Sequence, residues 1–177
     1  MNQPEHNPED PRNVRSLVIV FSYHHNNTEK IARTIAGVLG AEVKTPQEIQ
    51  PEQLREYDLI GFGSGIYSAT FDPSVLTLAD RLSFAHGRKA FLFSTYGAPA
   101  FAVTRDFVAD NHEEMRGKLR IKGYEVIGDF GCAGWNTNSF LRFFGGINRG
   151  RPDSGDLANA ETFARAMLAK VRSTENP

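Results

Sequence analysis

One cysteine, Cys132, is present in 177 residues. A single thiol cannot close an intrachain disulfide or build a multi-cysteine zinc or iron–sulfur site, so a reducing compartment, the cytoplasm, is expected. Long apolar runs are also missing. Nothing approaches the roughly 20 consecutive apolar residues that cross a bilayer, so no membrane span is expected. Neither sign of charge dominates: 20 Lys and Arg against 21 Asp and Glu leave a formal charge of −1. That removes the broad basic field of a polyanion binder, and no nucleic acid is expected as a partner.

Several phosphate-binding and catalytic motifs are absent as well. No Gly-x4-Gly-Lys followed by Ser or Thr occurs, which excludes P-loop nucleotide chemistry. Gly61, Gly63 and Gly65 come close to a dinucleotide fingerprint, but the required third glycine falls on Ile66 in one frame and Ser68 in the other. A Rossmann-type NAD site is therefore disfavoured. The carboxylates that a phosphorelay receiver carries at its strand ends are replaced by Ser22 and Ser64. The hydrolase elbow Gly-x-Ser-x-Gly fails too, because Ser64 has glycines as immediate neighbours.

What is present is the composition of an ordinary globular chain, with 40% hydrophobic residues and 16 glycines. The length suits one domain, expected over 15–173, behind a polar, proline-bearing tail at 1–14 that lacks an apolar signal core and is expected to be disordered. From Arg15 onward, short β-branched or aromatic runs alternate with helical spacing, the pattern of βα units on a parallel sheet. Strands are predicted at 17–21, 41–44, 57–63, 88–94 and 124–130. Helices are predicted at 28–39, 74–84, 103–122 and 157–171. In the first helix Ile31, Ala32, Ile35, Ala36 and Leu39 form one apolar stripe, and Gly40 supplies its stop. In the third, Val103, Phe107, Val108, Met115 and Leu119 are expected on one face. Pro46 and Pro51 place their connection outside any central ladder.

In such sheets ligands bind beyond the carboxyl ends of the strands, so the segments starting at Ser22, Ser64, Ser94 and Gly131 should converge. The first is a hydroxyl- and amide-rich loop running straight into a helix. Ser22, Thr28 and the backbone N–H groups of the first turn can solvate an anion, with Asn26 and Asn27 in left-handed conformations, or the same residues can simply cap the helix.

The segment Ser22-x-x-His25-Asn26-Asn27-Thr28 resembles the flavodoxin phosphate loop, Ser/Thr-x-x-Thr-Gly-Asn-Thr, with His25 in place of Thr and Asn26 in place of Gly. The resemblance continues through residues 63–67 and 94–97 and covers about 15–173. It implies a three-layer α/β/α sandwich around a five-stranded parallel sheet of order 2-1-3-4-5, with FMN as cofactor. Ser22, His24, His25, Asn26, Asn27 and Thr28 are expected at the phosphate. The ring is expected between the loops Ser64, Gly65, Ile66, Tyr67 and Ser94, Thr95, Tyr96, Gly97. Tyr96 would cover one ring face and Tyr67 or Ile66 the other, while Gly65 lets the peptide turn beside the ring. Trp135, in the loop after the fifth strand, reaches the flavin edge or shapes a partner surface, or else packs with Phe140, Phe143 and Phe144 as a lid with no part in the chemistry. The implied function is electron transfer with redox partner proteins, as a monomer or weak dimer. The alternatives are an FMN-dependent reductase of a quinone-like or porphyrinogen-like substrate and a flavin-free partner-binding module.

Other reactive residues carry less. Cys132 has no resolving partner and reads as a small buried hydrophobe. His24 and His25 are adjacent on one loop without a third ligand, so phosphate or solvent contact is expected and metal is not. Glu113 and Glu114 are neighbours on a helix and do not share a face. Arg149 and Arg151 are candidates for meeting an acidic partner.

Overall fold

The computed structural model describes residues 14–23, 25–99, 102–104, 106–138, 143 and 145–174. The tail expected at 1–14 lies outside them except for Val14, as do His24, Phe140 and Phe144. The elements run β1 Ser16–Phe21, α1 Asn27–Leu39, β2 Glu42–Lys44, β3 Leu59–Gly65, α2 Pro73–Arg81, β4 Lys89–Tyr96, α3 Phe107–Ile121, β5 Glu125–Ala133 and α4 Ser154–Thr174. Two short 3₁₀ turns, Pro46–Glu48 and Pro51–Glu56, connect β2 to β3. Among the described residues the strands form one parallel sheet in the order β2-β1-β3-β4-β5.

The strand period of two divides the apolar residues between two cores. Leu17 and Ile19 of β1, Ile60 and Phe62 of β3 and Leu92 of β4 pack with Val75 and Leu78 of α2 and Met115 and Leu119 of α3. Val18 and Val20, Leu59, and Phe91 and Phe93 pack on the opposite face with Ile31 and Ile35 of α1 and Ala160, Ala164 and Met167 of α4. On that second face β3 has glycines at 61 and 63, and the rings of Phe91 and Phe93 lie across them. A Cβ at Gly61 would come within 2.3 Å of the Phe91 ring, and one at Gly63 within 2.1 Å of the Phe93 ring. The glycine-rich run therefore serves close packing. No helix among the described residues is long and apolar enough to cross a membrane.

The carboxyl ends of β3, β4 and β5 lie beyond the sequence expectation. β3 spans 59–65 in place of 57–63, because its pairing with β1 continues to Phe21↔Ser64 and with β4 to Gly65↔Thr95. β4 and β5 likewise extend to Tyr96 and Ala133, paired with each other to the end. Ser64, Ser94, Gly131 and Cys132 thus lie inside strands, not in the loops beyond them. α2 ends at Arg81, and α3 starts at Phe107, so Val103 lies outside it; Phe107 and Val108 are half-buried beside the fully buried Met115 and Leu119. β2 is the short edge strand expected, and its ladder with β1 ends at Ile19↔Lys44. Beyond that point Thr45 turns the chain away through a capping box with Glu48, with Pro46 at the first helical position.

Candidate functional site

The four segments beyond β1, β3, β4 and β5 enclose a cavity of about 390 Å³, open solvent at its mouth included. Ser22, Asn27 and Thr28 line it at the start of α1; Gly65, Ile66 and Tyr67, with Thr95, Tyr96 and Gly97, line it at the carboxyl ends of β3 and β4. Gly134, Trp135, Asn136 and Asn138 close the side.

After β1 the chain turns into α1 through two consecutive left-handed residues, His25 (φ 54°) and Asn26 (φ 53°). The left-handed pair is one residue earlier than expected: Asn27 already starts the helix. Asn26 sits at the cap position, but its side chain accepts no hydrogen bond from the first turn. The leading N–H groups of α1, which have no intrahelical acceptor, are left to a ligand or to water. Thr28 is 1% exposed, and its hydroxyl hydrogen bonds across the cavity floor to that of Thr95 at 2.8 Å. Asn27 is 6% exposed, and its Nδ2 donates to the carbonyl of Trp135 at 2.9 Å. That bond fixes the amide orientation and leaves Oδ1 buried with no hydrogen-bond partner among the described residues. A buried carbonyl oxygen without a donor costs roughly 1–3 kcal/mol, and the residue that carries this one also lines the cavity.

His25 is engaged with the loop after β5. Its ring stacks on Trp135 at 4.0 Å with 16° between the planes, and its Nε2 hydrogen bonds Thr137 Oγ1 at 2.8 Å. Trp135 is itself tied on three sides, its amide donating to the Arg151 carbonyl, its indole N–H to the Gly145 carbonyl, and its own carbonyl accepting from Asn27. The histidine of the β1–α1 loop and the tryptophan of the long loop are thus one clamp. Arg151 is not available to a partner: it pairs with Asp156, which is buried at the start of α4, and with Asp153. Arg149 is exposed, and so is Phe143, at 73%, in contrast to the packed lid expected.

At the carboxyl end of β4, Tyr96 is half-buried and meets the Phe107 ring edge to face at 5.1 Å. Tyr67 lies against Gly65, where a Cβ would come within 2.7 Å of its hydroxyl, and that hydroxyl accepts from the backbone amide of Tyr23. Burial pushes both phenols above their ordinary range, so neither carries charge near neutral pH. The loop holding Ile66 and Tyr67 is fastened by Ile66 N–H to the Thr95 carbonyl and closes in a tight turn with left-handed Ser68 and Ala69.

Ser64 and Ser94 stand apart from the cavity. The Ser64 hydroxyl donates to the Gly65 carbonyl and accepts from Asp72 N–H, bracing the start of α2. Ser94 Oγ is 2.8 Å from His112 Nε2, whose Nδ1 donates to Asp129 at 2.8 Å, and Arg116 donates to the same carboxylate oxygen at 2.6 Å. The Ser–His–Asp order is that of a hydrolytic relay, but Ser94 is 1% and His112 0% exposed, which closes it to substrate. Cys132 is buried as expected, and burial raises its thiol pKa to about 12. No cluster of metal-ligating side chains occurs among the described residues. Gly134, Asn136 and Asn138 escaped the sequence reading, although two asparagines just after Trp135 were a usable signal.

The strand order, the crossovers and a cavity at the carboxyl ends together define the flavodoxin-like fold. A flavodoxin from the domain Archaea superposes with a TM-score of 0.61 at 15% identity, covering 89% of this chain and 99% of its own. Flavodoxin 2 from Bacillus cereus gives 0.64 at 18% identity, over 88% and 99%. No model of a known protein family matches. In sequence the chain is 39% identical over 155 residues to uncharacterized protein MJ0298 of Methanocaldococcus jannaschii, spanning 88% of this chain and 99% of that protein. It belongs to that protein's family.

Proposed function

We propose that this chain binds FMN in the cavity and transfers electrons through it. The observation that carries the reading is one cavity lined together by the start of α1, where Asn26 makes no side-chain cap and Asn27 Oδ1 is partnerless, and by the uncharged rings of Tyr67 and Tyr96. These groups fit, in order, a phosphate, a hydroxylated chain and a flat ring. The N–H groups of α1 with the Ser22 and Thr28 hydroxyls would bind the phosphate, and Asn27 Oδ1 would accept from a ribityl hydroxyl. Tyr96 and Tyr67 or Ile66 would cover the ring and exclude water, and the backbone of 65–67 and 95–97 would address its polar edge. The bound flavin supplies the redox chemistry. Electrons would pass to a protein partner at the cavity mouth, in the reducing cytoplasm that suits one buried thiol. A reductase of a planar substrate is the second reading, favoured by the wall that Trp135, Asn136 and Asn138 add to the cavity; turnover of a quinone by the loaded protein separates it from a carrier.

Titrating flavin-stripped protein with FMN, with quenching of flavin fluorescence as readout, tests the reading. Stoichiometric quenching is expected, weakened about tenfold, equivalent to about 1.4 kcal/mol, in Ser22→Ala/Thr28→Ala. Folded protein that binds no FMN contradicts it and leaves the partner-binding module.

A further inference from the structure

A second cavity, larger than the first at about 750 Å³ with open solvent included, adjoins it on the side of β2. Its origin is the early end of the edge strand. The β1–β2 ladder stops at Ile19↔Lys44, and the Thr45–Glu48 turn carries the chain off, so Val20 and Phe21 continue past their neighbour and floor a notch. Ser22 belongs to the walls of both cavities. A phosphate held at Ser22 and the start of α1 therefore has two ways out, one toward Tyr67 and Tyr96 and one into the notch.

The lining has the chemistry of a nucleoside site. Val20 and Val43 on one face of the sheet and Phe21 on the other line its floor, and the Arg33 guanidinium, 70% exposed and paired with Glu29 one turn earlier, stands at the wall and offers a planar group for a base to stack on. Gln47 brings an exposed amide able to donate and accept. Glu48 receives the Thr45 amide and hydroxyl on Oε2 alone, at 2.7 Å each, which holds it below the ordinary carboxylate range and leaves Oε1 for a ligand. A carboxylate beside a stacking surface is how a vicinal diol and a base are recognised together. Glu29 and Glu48 balance Arg33 and Lys44, so the notch itself is not an anion site. It suits the uncharged end of a nucleotide whose phosphates stay at Ser22.

We propose that the notch between β1, α1 and the 45–48 turn is an adenosine subsite, so that the chain takes its flavin as the dinucleotide FAD in preference to FMN. The inference rests on the flavin reading above. Its test is calorimetric titration of flavin-stripped protein with FMN and FAD, and of FMN-loaded protein with ADP. FAD is expected to bind at least tenfold tighter than FMN. Gln47→Trp, an exposed position whose new side chain fills the notch, is expected to erase that advantage and leave FMN affinity unchanged; Arg33→Ala is expected to reduce it. FMN binding with no FAD advantage, or an advantage that survives Gln47→Trp, overturns the inference and leaves the flavin reading intact. ADP binding to the FMN-loaded protein without an FAD advantage also overturns it, in favour of a separate nucleotide. Failure of both flavins to bind overturns the flavin reading and this inference together.

Discussion

Ser94 and Thr95 are consecutive residues of β4, and their hydroxyls point to opposite faces of the sheet and into opposite situations. Ser94 enters a closed chain, Ser94–His112–Asp129–Arg116, in which the histidine has a partner on each ring nitrogen. Thr95 bonds Thr28, whose neighbour Asn27 keeps a buried acceptor without a donor, beside a helix start that the Asn26 side chain does not cap. The closed network holds β4, α3 and β5 together; the open one keeps a buried acceptor without a partner. Satisfied buried polar groups stabilise, whereas an unsatisfied one next to a cavity is a cost that a ligand removes.

The strongest way to break the comparison is to open the closed side. His112→Leu leaves Ser94 and Asp129 without their shared partner in the interior, and should lower folding stability by about 2–3 kcal/mol in urea denaturation. The same variant should change FMN affinity less than Thr28→Val does. The converse experiment acts on the open side: Thr28→Val keeps the shape and removes the hydroxyl, and should weaken FMN binding about tenfold, or about 1.4 kcal/mol, while stability moves by less than about 1 kcal/mol.

How far this division was legible in the sequence differs by element. The apolar stripes of α1 and α4 and the β-branched runs of β1 and β4 follow from periodicity alone, and so does the convergence of loops at one end of the sheet. Strand ends were not legible, because Ser64–Gly65, Ser94–Thr95 and Gly131–Cys132 carry no apolar pattern and are strand only through pairing with their neighbours. His112 was hidden for a related reason: a polar residue beside a helix stripe reads as surface until Asp129 and Ser94 are brought to it from other strands. The His25–Trp135 stack joins loops far apart in sequence, and no local signal announces it.

Two smaller effects sharpen the contrast. Burial pushes the Asp129 carboxyl up, but hydrogen bonds and charge from His112 and Arg116 outweigh it and hold it below its ordinary 3.8. A carboxyl lowered in the folded state contributes stability above the unfolded value and loses it as pH falls through the folded one. The urea midpoint should therefore drop below about pH 4, with a shallower drop in Asp129→Asn. Smallest is the thiol: with its pKa raised to about 12 and the side chain buried, Cys132 should react with iodoacetamide at pH 8 far more slowly than in the urea-unfolded chain.

The comparison is tested most directly by amide ¹H–¹⁵N correlation spectra of flavin-stripped protein as FMN is added. Shifts confined to 22–28, 65–67, 95–97 and 134–138, with the Asn27 side-chain amide among the largest and the neighbours of His112 and Asp129 still, are the predicted result. Binding that moves the His112 side of the sheet and leaves Asn27 and Thr28 unchanged would contradict it.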